Sequence, residues 1–245
     1  MILELDIGNT RIKWRVIDLE DVVKAAGVAD NLQQLFDQTV RAYSLQRVRV
    51  ACVRAEGFLP DLIRQLHEQW GLTVQVAKVL RECQGVTVGY SDPQKLGVDR
   101  WLTLLAAHRD AAGAAVIVDC GTALTIDLVE ASGRHLGGYI VPGFRLSPEA
   151  LTRNTAIRLA PRPVWSLEPG NSSEDAIYHG TLVMLTALVE KVIARELRQL
   201  SACGVPVLYL TGGDAPLLRD FLTTDGVEIR EVPSLVFDGL GLALP

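Results

Sequence analysis

The chain has 245 residues, 49% of them apolar and 22% charged, with a formal net charge of −5. That balance belongs to a globular protein with room for two packed cores of about 100 to 150 residues each, and it excludes a disordered or fibrous chain. The acidic excess argues against a surface built to neutralise nucleic-acid phosphates, so nucleic acid is not expected as a partner.

The opening run Met1-Ile2-Leu3-Glu4-Leu5-Asp6 lacks the basic and apolar regions of a secretory signal. No stretch approaches the roughly 18 to 20 uncharged apolar residues of a membrane span. A soluble, cytoplasmic protein is predicted. Cys52, Cys83, Cys120 and Cys203 form no Cys-x-x-Cys pair and are expected to stay reduced. His67, His108, His135 and His179 have no zinc-ligand spacing.

In chain order, residues 2–6 read as a short apolar strand that stops at Gly8-Asn9-Thr10, and Ile12, Trp14 and Val16 alternate with polar neighbours in the strand that follows. Leu32, Leu35, Phe36 and Val40 predict a helix over 31–43. The basic run 47–54 alternates Arg47 and Arg49 with Val48 and Val50, which predicts a strand with one solvated face. Leu59, Leu62, Ile63 and Leu66 predict a helix over 59–70, so the first half is α/β. A further apolar helix is predicted over 101–109, and the small residues 111–115 mark a junction, giving domains 1–112 and 113–245.

After the junction the opening pattern returns. Residues 116–119 and 124–129 read as strands around the turn Gly121-Thr122-Ala123. Asp6-Ile7-Gly8-Asn9-Thr10 and Asp119-Cys120-Gly121-Thr122-Ala123 thus occupy equivalent places, which predicts two similarly built domains. The stretch 159–170 is Pro-rich and reads as a loop. Leu182, Leu185, Val189, Val192 and Ile193 form the apolar stripe of a helix over 175–200. A strand over 207–210 then runs into Thr211-Gly212-Gly213-Asp214, with a helix to residue 222.

Glycine lets the main chain approach phosphate oxygens without an intervening Cβ, which makes Gly8, Gly121, Gly212 and Gly213 candidates for a nucleotide site. Asn9, Thr10, Thr122 and Thr125 add side-chain donors, and an Asp at a strand end offers oxygen to the Mg²⁺ that accompanies ATP. A plain hairpin also uses Asp-x-Gly, but here such turns recur. No Walker-type Gly-x-x-x-x-Gly-Lys-Ser/Thr and no Gly-x-Gly-x-x-Gly after a strand is present. Gly97-Val98-Asp99-Arg100 leads into the third helix, where Asp99 is either an N-cap or the acceptor of a substrate hydroxyl proton, and Arg100 suits an acidic substrate group. Ser172-Ser173-Glu174-Asp175 is a helix start in which Ser172 suits the cap, and spacing alone does not assign the Ser173 hydroxyl to a substrate hydrogen bond.

Asp6-Ile-Gly-Asn-Thr-Arg-Ile-Lys13, Gly89-Tyr90, Gly97-Val-Asp-Arg-Trp101, Asp119-Cys-Gly-Thr-Ala-Leu-Thr125, Gly137-Gly-Tyr-Ile-Val-Pro-Gly143 and Thr211-Gly-Gly-Asp-Ala215 stand in this order along the chain. The set resembles the type III pantothenate kinases of the acetate and sugar kinase, Hsp70 and actin superfamily. The resemblance implies an α/β fold of two ribonuclease-H-like domains with a nucleotide cleft between them, and ATP-dependent phosphorylation of pantothenate at its primary hydroxyl, the first step of coenzyme A biosynthesis. It implies that Asp6, Ile7, Gly8, Asn9, Thr10, Arg11, Ile12 and Lys13 form the first phosphate motif and Thr122 belongs to the second, with Mg²⁺ at Asp6. It further implies Asp99 as catalytic base, and Tyr90, Gly97, Val98, Arg100 and Ser173 around pantothenate. Asp119 matches a ligand for a monovalent cation, K⁺ or NH₄⁺, Thr211 to Asp214 the adenosine side, and the family is homodimeric. The chain departs at Ser173, where the family commonly has threonine, and at Asn171-Ser172, where Lys-Asn is usual. A non-catalytic regulator of transcription on the same fold, and a kinase of another alcohol such as a sugar, are the alternatives.

Overall fold

The computed structural model describes residues 1–54, 57–153, 157–159, 163–200, 206–224 and 226–245, the side chains of 196–200 excepted. Two compact units form: Met1–Gln84 with Tyr90–Ala106 and Leu235–Pro245, and Gly85–Gly89 with Ala107–Ser234.

The first unit is built on β1 (Ile2–Ile7), β2 (Ile12–Ile17), β3 (Val23–Ala29), α1 (Leu32–Gln38), β4 (Arg47–Cys52), α2 (Phe58–Trp70) and β5 (Thr73–Val76). Its sheet has the order β3-β2-β1-β4-β5, in which β1, β2 and β3 pair antiparallel, and β4 and β5 add in parallel. Leu3, Leu5, Ile7, Trp14, Val48 and Val50 join Leu35, Phe36, Leu62 and Leu66 of α1 and α2 in one apolar core. Alternation along a strand sends the even residues of β1 to the opposite face. α1 is shorter than the 31–43 pattern predicts: Asn31 caps its start by accepting from Gln34 N, and it closes at Thr39, whose buried hydroxyl bonds back to Leu35 O.

That opposite face corrects the expectation of a solvated one around Arg49. Arg49 is buried, and Glu4 is wholly buried between Arg49 Nη1 at 3.0 Å and Arg15 Nε at 2.5 Å. Cross-strand register causes this, since Glu4 stands opposite Arg15 on β2 and Arg49 on β4. Later chain covers the face: Asp238 accepts from Arg15 Nη1 at 2.9 Å, and the Arg15 guanidinium lies 5.1 Å from the centre of the Phe237 ring.

Short strands β6 (Glu82–Cys83) and β7 (Val86–Thr87) lead to α3 (Val98–Ala111), which starts three residues before the predicted helix. The second unit contains β8 (Ala115–Cys120), β9 (Ala123–Val129), β10 (His135–Pro142), α4 (Leu146–Thr152), α5 (Ser173–Leu200), β11 (Val207–Thr211), α6 (Ala215–Phe221) and β12 (Ile229–Glu231). Its sheet order, β10-β9-β8-β11-β12, repeats that of the first, with three antiparallel strands and then two parallel ones. Leu182, Leu185, Val189, Val192 and Ile193 of α5 pack into its core with Val116, Val118, Leu208 and Leu210, as the helical stripe predicts. Residues 163–170 carry neither helix nor strand, whereas 160–162 lie outside the described residues, as does Cys203. Cys52, Cys83 and Cys120 are free thiols.

Ser173–Arg195 of α5 is, against the sequence expectation, long and apolar enough to cross a bilayer by length and composition. Within it, 44% of an 18-residue apolar window is buried inside the protein, Leu182, Leu185 and Val189 of the core included.

The division into units differs from a single break after residue 112. Helix α7 (Leu235–Ala243), last in the chain, belongs to the first unit, where it packs on β1 and β4. Gly239 permits this, because a Cβ there would lie 2.0 Å from Leu102 O of α3.

Candidate active site

Asp6 is half-buried at the carboxyl end of β1, opposite Lys13 on β2. Between them Gly8 N donates to Arg11 O at 3.1 Å and closes the turn, with Asn9, Thr10 and Arg11 exposed. Ile7 and Ile12 are fully buried in the core, so of this motif they offer a ligand only main-chain atoms. Arg54, which closes the basic run 47–54 and gives no separate signal in the sequence, donates from Nε to Gly8 O at 3.0 Å.

The same unit brings Tyr90 to Arg100. Arg100 Nη1 donates to Tyr90 Oη at 3.1 Å, and the guanidinium is 5.8 Å from the Tyr90 ring centre. Arg81 holds the Tyr90 segment from outside by donating to the carbonyls of Tyr90 and Ser91. Trp101 N bonds to Gly97 O at 3.0 Å, so α3 begins before Asp99 and the carboxylate lies within the first turn rather than at the cap. The positive end of the helix favours an ionised group there. Asp99 Oδ1 accepts from Arg100 N at 2.8 Å, and Gly97 leaves it room, since a Cβ on Gly97 would be 2.6 Å from that oxygen.

In the second unit the turn Asp119 to Thr122 meets the segment Thr211 to Asp214. Thr211 pairs with Asp119 across parallel β11 and β8, and Asp214 N donates to Cys120 O at 3.0 Å. Gly212 takes φ +91°, and a Cβ on it would lie 2.5 Å from both Asp119 Oδ1 and Cys120 O. Burial raises the Asp214 carboxyl above its ordinary pKa, partly offset by the Arg145 charge. Thr122 is exposed at the turn, whose Gly121 N donates to Ala123 O at 3.1 Å. Gly143 supports it from behind through N–H to Thr122 O at 3.0 Å, and a Cβ there would stand 2.5 Å from Gly121 O. Gly143→Ala is therefore expected to displace the turn and lower the melting temperature by several degrees; a thermal melt checks it.

Ser173 is exposed in the first turn of α5. Its neighbour Ser172 does the capping: Asp175 N donates to Ser172 Oγ at 3.0 Å, and that hydroxyl reaches Asp175 Oδ2 at 2.8 Å. Gly89 N donates to His135 Nδ1 at 3.4 Å, and His135 Nε2 is 3.0 Å from Asp127 Oδ1, a buried pair with no separate signal in the sequence.

Among the described residues no group of three or more His, Cys, Asp or Glu side chains is arranged to hold a metal ion. Mg²⁺ does not require one, because it is commonly held by one or two carboxylates, substrate phosphates and water, and Asp6 beside a glycine turn suits it. At Asp119 a carboxylate oxygen packs against Gly212 next to the Cys120 carbonyl.

Two sheets of the same unusual order, each with an Asp-x-Gly turn at the end of its first strand, define the class: an actin-like ATPase fold of two ribonuclease-H-like domains. A Sinorhizobium meliloti structure described as a 2-dehydro-3-deoxygalactonokinase matches with TM-score 0.62 at 14% identity, covering 99% of this chain and 95% of that one. A Campylobacter jejuni structure described as a Baf family transcriptional activator matches with TM-score 0.59 at 24% identity, covering 98% and 95%. Both bear on fold alone. The family model for type III pantothenate kinase matches residues 2–195, and the chain belongs to that family. A type III pantothenate kinase of Pseudomonas paraeruginosa is 43% identical over 254 residues, covering 100% of this chain and 99% of the relative. One from Pseudomonas putida (strain ATCC 700007) is 40% identical over 253 residues, with the same coverage.

Proposed function

We propose that this protein transfers the terminal phosphoryl group of ATP to the primary hydroxyl of pantothenate, giving ADP and phosphopantothenate, as the first step of coenzyme A biosynthesis in the cytoplasm. The observation that carries the reading is full-length similarity to relatives described as type III pantothenate kinases. The alternative of a non-catalytic regulator draws no support from it.

Phosphoryl transfer through a loose transition state asks mainly for alignment and for neutralisation of charge on the phosphoryl oxygens. Asn9, Thr10, Arg11 and Lys13, with the main chain of Ile7, Gly8 and Ile12, are assigned to the first phosphate motif and Thr122 to the second. Asp6 is the Mg²⁺ ligand, directly or through water; Mg²⁺ when bound neutralises phosphate charge. Asp99 accepts the proton of the pantothenate hydroxyl. Arg100, steadied by Tyr90, binds the pantothenate carboxylate, and Gly97 and Val98 shape the wall beside it; Ser173 contributes a hydroxyl. A carboxylate of ordinary basicity suffices at Asp99, since the alcohol becomes acidic only as the bond to phosphorus forms.

Asp119 is proposed to hold K⁺ or NH₄⁺, and exchanging K⁺ for Na⁺ is expected to reduce the rate several-fold; equal rates in both salts would remove the cation from that position. A homodimer is supported by the exposed apolar side chains Leu136, Tyr139 and Ile140 on the edge strand β10 and Val183 and Met184 on α5. An acceptor panel tests the substrate: pantothenate is expected to outpace neutral sugars because of Arg100, and a sugar that matches it would sink the assignment.

A further inference from the structure

We propose that Arg54 is an oxyanion-binding residue of this site, placed to hold the terminal phosphate of the nucleotide at the Gly8 turn; the inference rests on the kinase reading above. β1 and β4 run parallel, and Val53 N bonds to Ile7 O at 3.0 Å, so the ladder continues one residue beyond β4. Arg54 therefore follows at the carboxyl ends of two neighbouring parallel strands, beside Asp6 and Gly8. Ligands of open α/β sheets gather at such ends.

Two contacts fix the side chain. Nε donates to Gly8 O at 3.0 Å, and the guanidinium stacks on Phe58 with Cζ 4.4 Å from the ring centre. Neither contact uses Nη1 or Nη2, which have no partner among the described residues. A half-buried arginine pinned at its inner nitrogen, with neither terminal amino group bonded to a described residue, is a fork already oriented for an anion. The glycine turn it grips is the one assigned to phosphate, so a ligand held there comes within reach of the same fork.

Charge balance points the same way. The Cys52 thiol, raised mainly by burial, is lowered by Arg54 and raised by Asp6, so both charges lie close to it. A cation for phosphate oxygens next to a carboxylate for Mg²⁺ is the pairing that a triphosphate end requires. Lysine at position 54 would keep the charge and lose the Gly8 bond, because the orientation depends on Nε.

The test is calorimetric titration of the full chain and its R54A and R54K variants with Mg-AMPPNP and with Mg-ADP. R54A is expected to weaken AMPPNP about tenfold or more while ADP stays within about twofold, with R54K recovering part of the loss. A loss equal for both nucleotides, or no loss, overturns the proposal. So does an effect confined to the KM for pantothenate, which would give Arg54 to the carboxylate of the acceptor. A wild type that binds neither nucleotide removes the kinase reading and Arg54 with it, whereas normal wild-type binding with an indifferent R54A removes Arg54 alone. Thermal melts certify folding, and R54K carries the comparison should R54A fail to fold.

Discussion

Asp99→Asn is expected to lower turnover by about 10² to 10⁴-fold, the usual contribution of a positioned general base, while nucleotide affinity and melting temperature stay near wild type. The substitution is nearly isosteric. The amide oxygen of Asn can still accept from Arg100 N, as Asp99 Oδ1 does at 2.8 Å, so the first turn of α3 keeps its local bond. What disappears is a group able to take a proton from an alcohol. A change at Gly97 would blur this outcome, since its missing Cβ is what gives the Asp99 oxygen space. Steady-state kinetics with saturating ATP and pantothenate read the effect. Turnover within about threefold of wild type would remove Asp99 from proton transfer.

The largest effect on stability is expected at Glu4. Its carboxylate is wholly buried between Arg15 and Arg49, which are 13% and 4% exposed. Glu4→Ala leaves two inward-facing guanidinium groups without their shared anion, and breaking a buried pair in this way costs about 3 to 5 kcal/mol. For a chain of this size the melting temperature should drop by on the order of 10 °C. Arg15 also reaches Asp238 at 2.9 Å, so α7 should loosen from the sheet along with it. Replacing Glu4, Arg15 and Arg49 together by apolar residues of similar volume should recover much of the loss, because the penalty lies in the unpaired charge. Denaturant unfolding measures both, and a Glu4→Ala cost under about 1 kcal/mol would contradict a strongly coupled buried cluster.

Much of the fold is legible where local pattern and burial agree. The Asp6 and Asp119 turns read correctly because each joins two short apolar strands across a glycine, and the stripe on α5 reads correctly because its apolar side chains have one buried face. Legibility fails where distant chain decides the outcome. Arg49 reads as solvated from its alternation with valine, yet α7 covers that face some 190 residues later. Residues 235–243 contain Gly239 and Gly241, poor helix formers, and they become helical through packing against the first unit. β3, with exposed alternate residues, and β12, three residues long, are edge strands whose pairing comes from neighbours rather than from their own sequence.

The candidate site divides along the same line. Gly8, Asp99, Asp119 and Thr122 stand in short contiguous motifs, so the sequence shows them. Arg54 meets the Gly8 turn through a contact that only folding makes, as does the buried Asp127–His135 pair with Gly89. The side chains of Ile7 and Ile12 mark the reverse case, in which a motif includes residues placed chiefly for packing.

Coupled detection of ADP release, with Mg²⁺ and K⁺ present and pantothenate added last, is the most direct measurement. ADP should appear only after pantothenate is added and in equal amount to phosphopantothenate. Nucleotide binding without pantothenate-dependent ADP formation would contradict the proposed reaction.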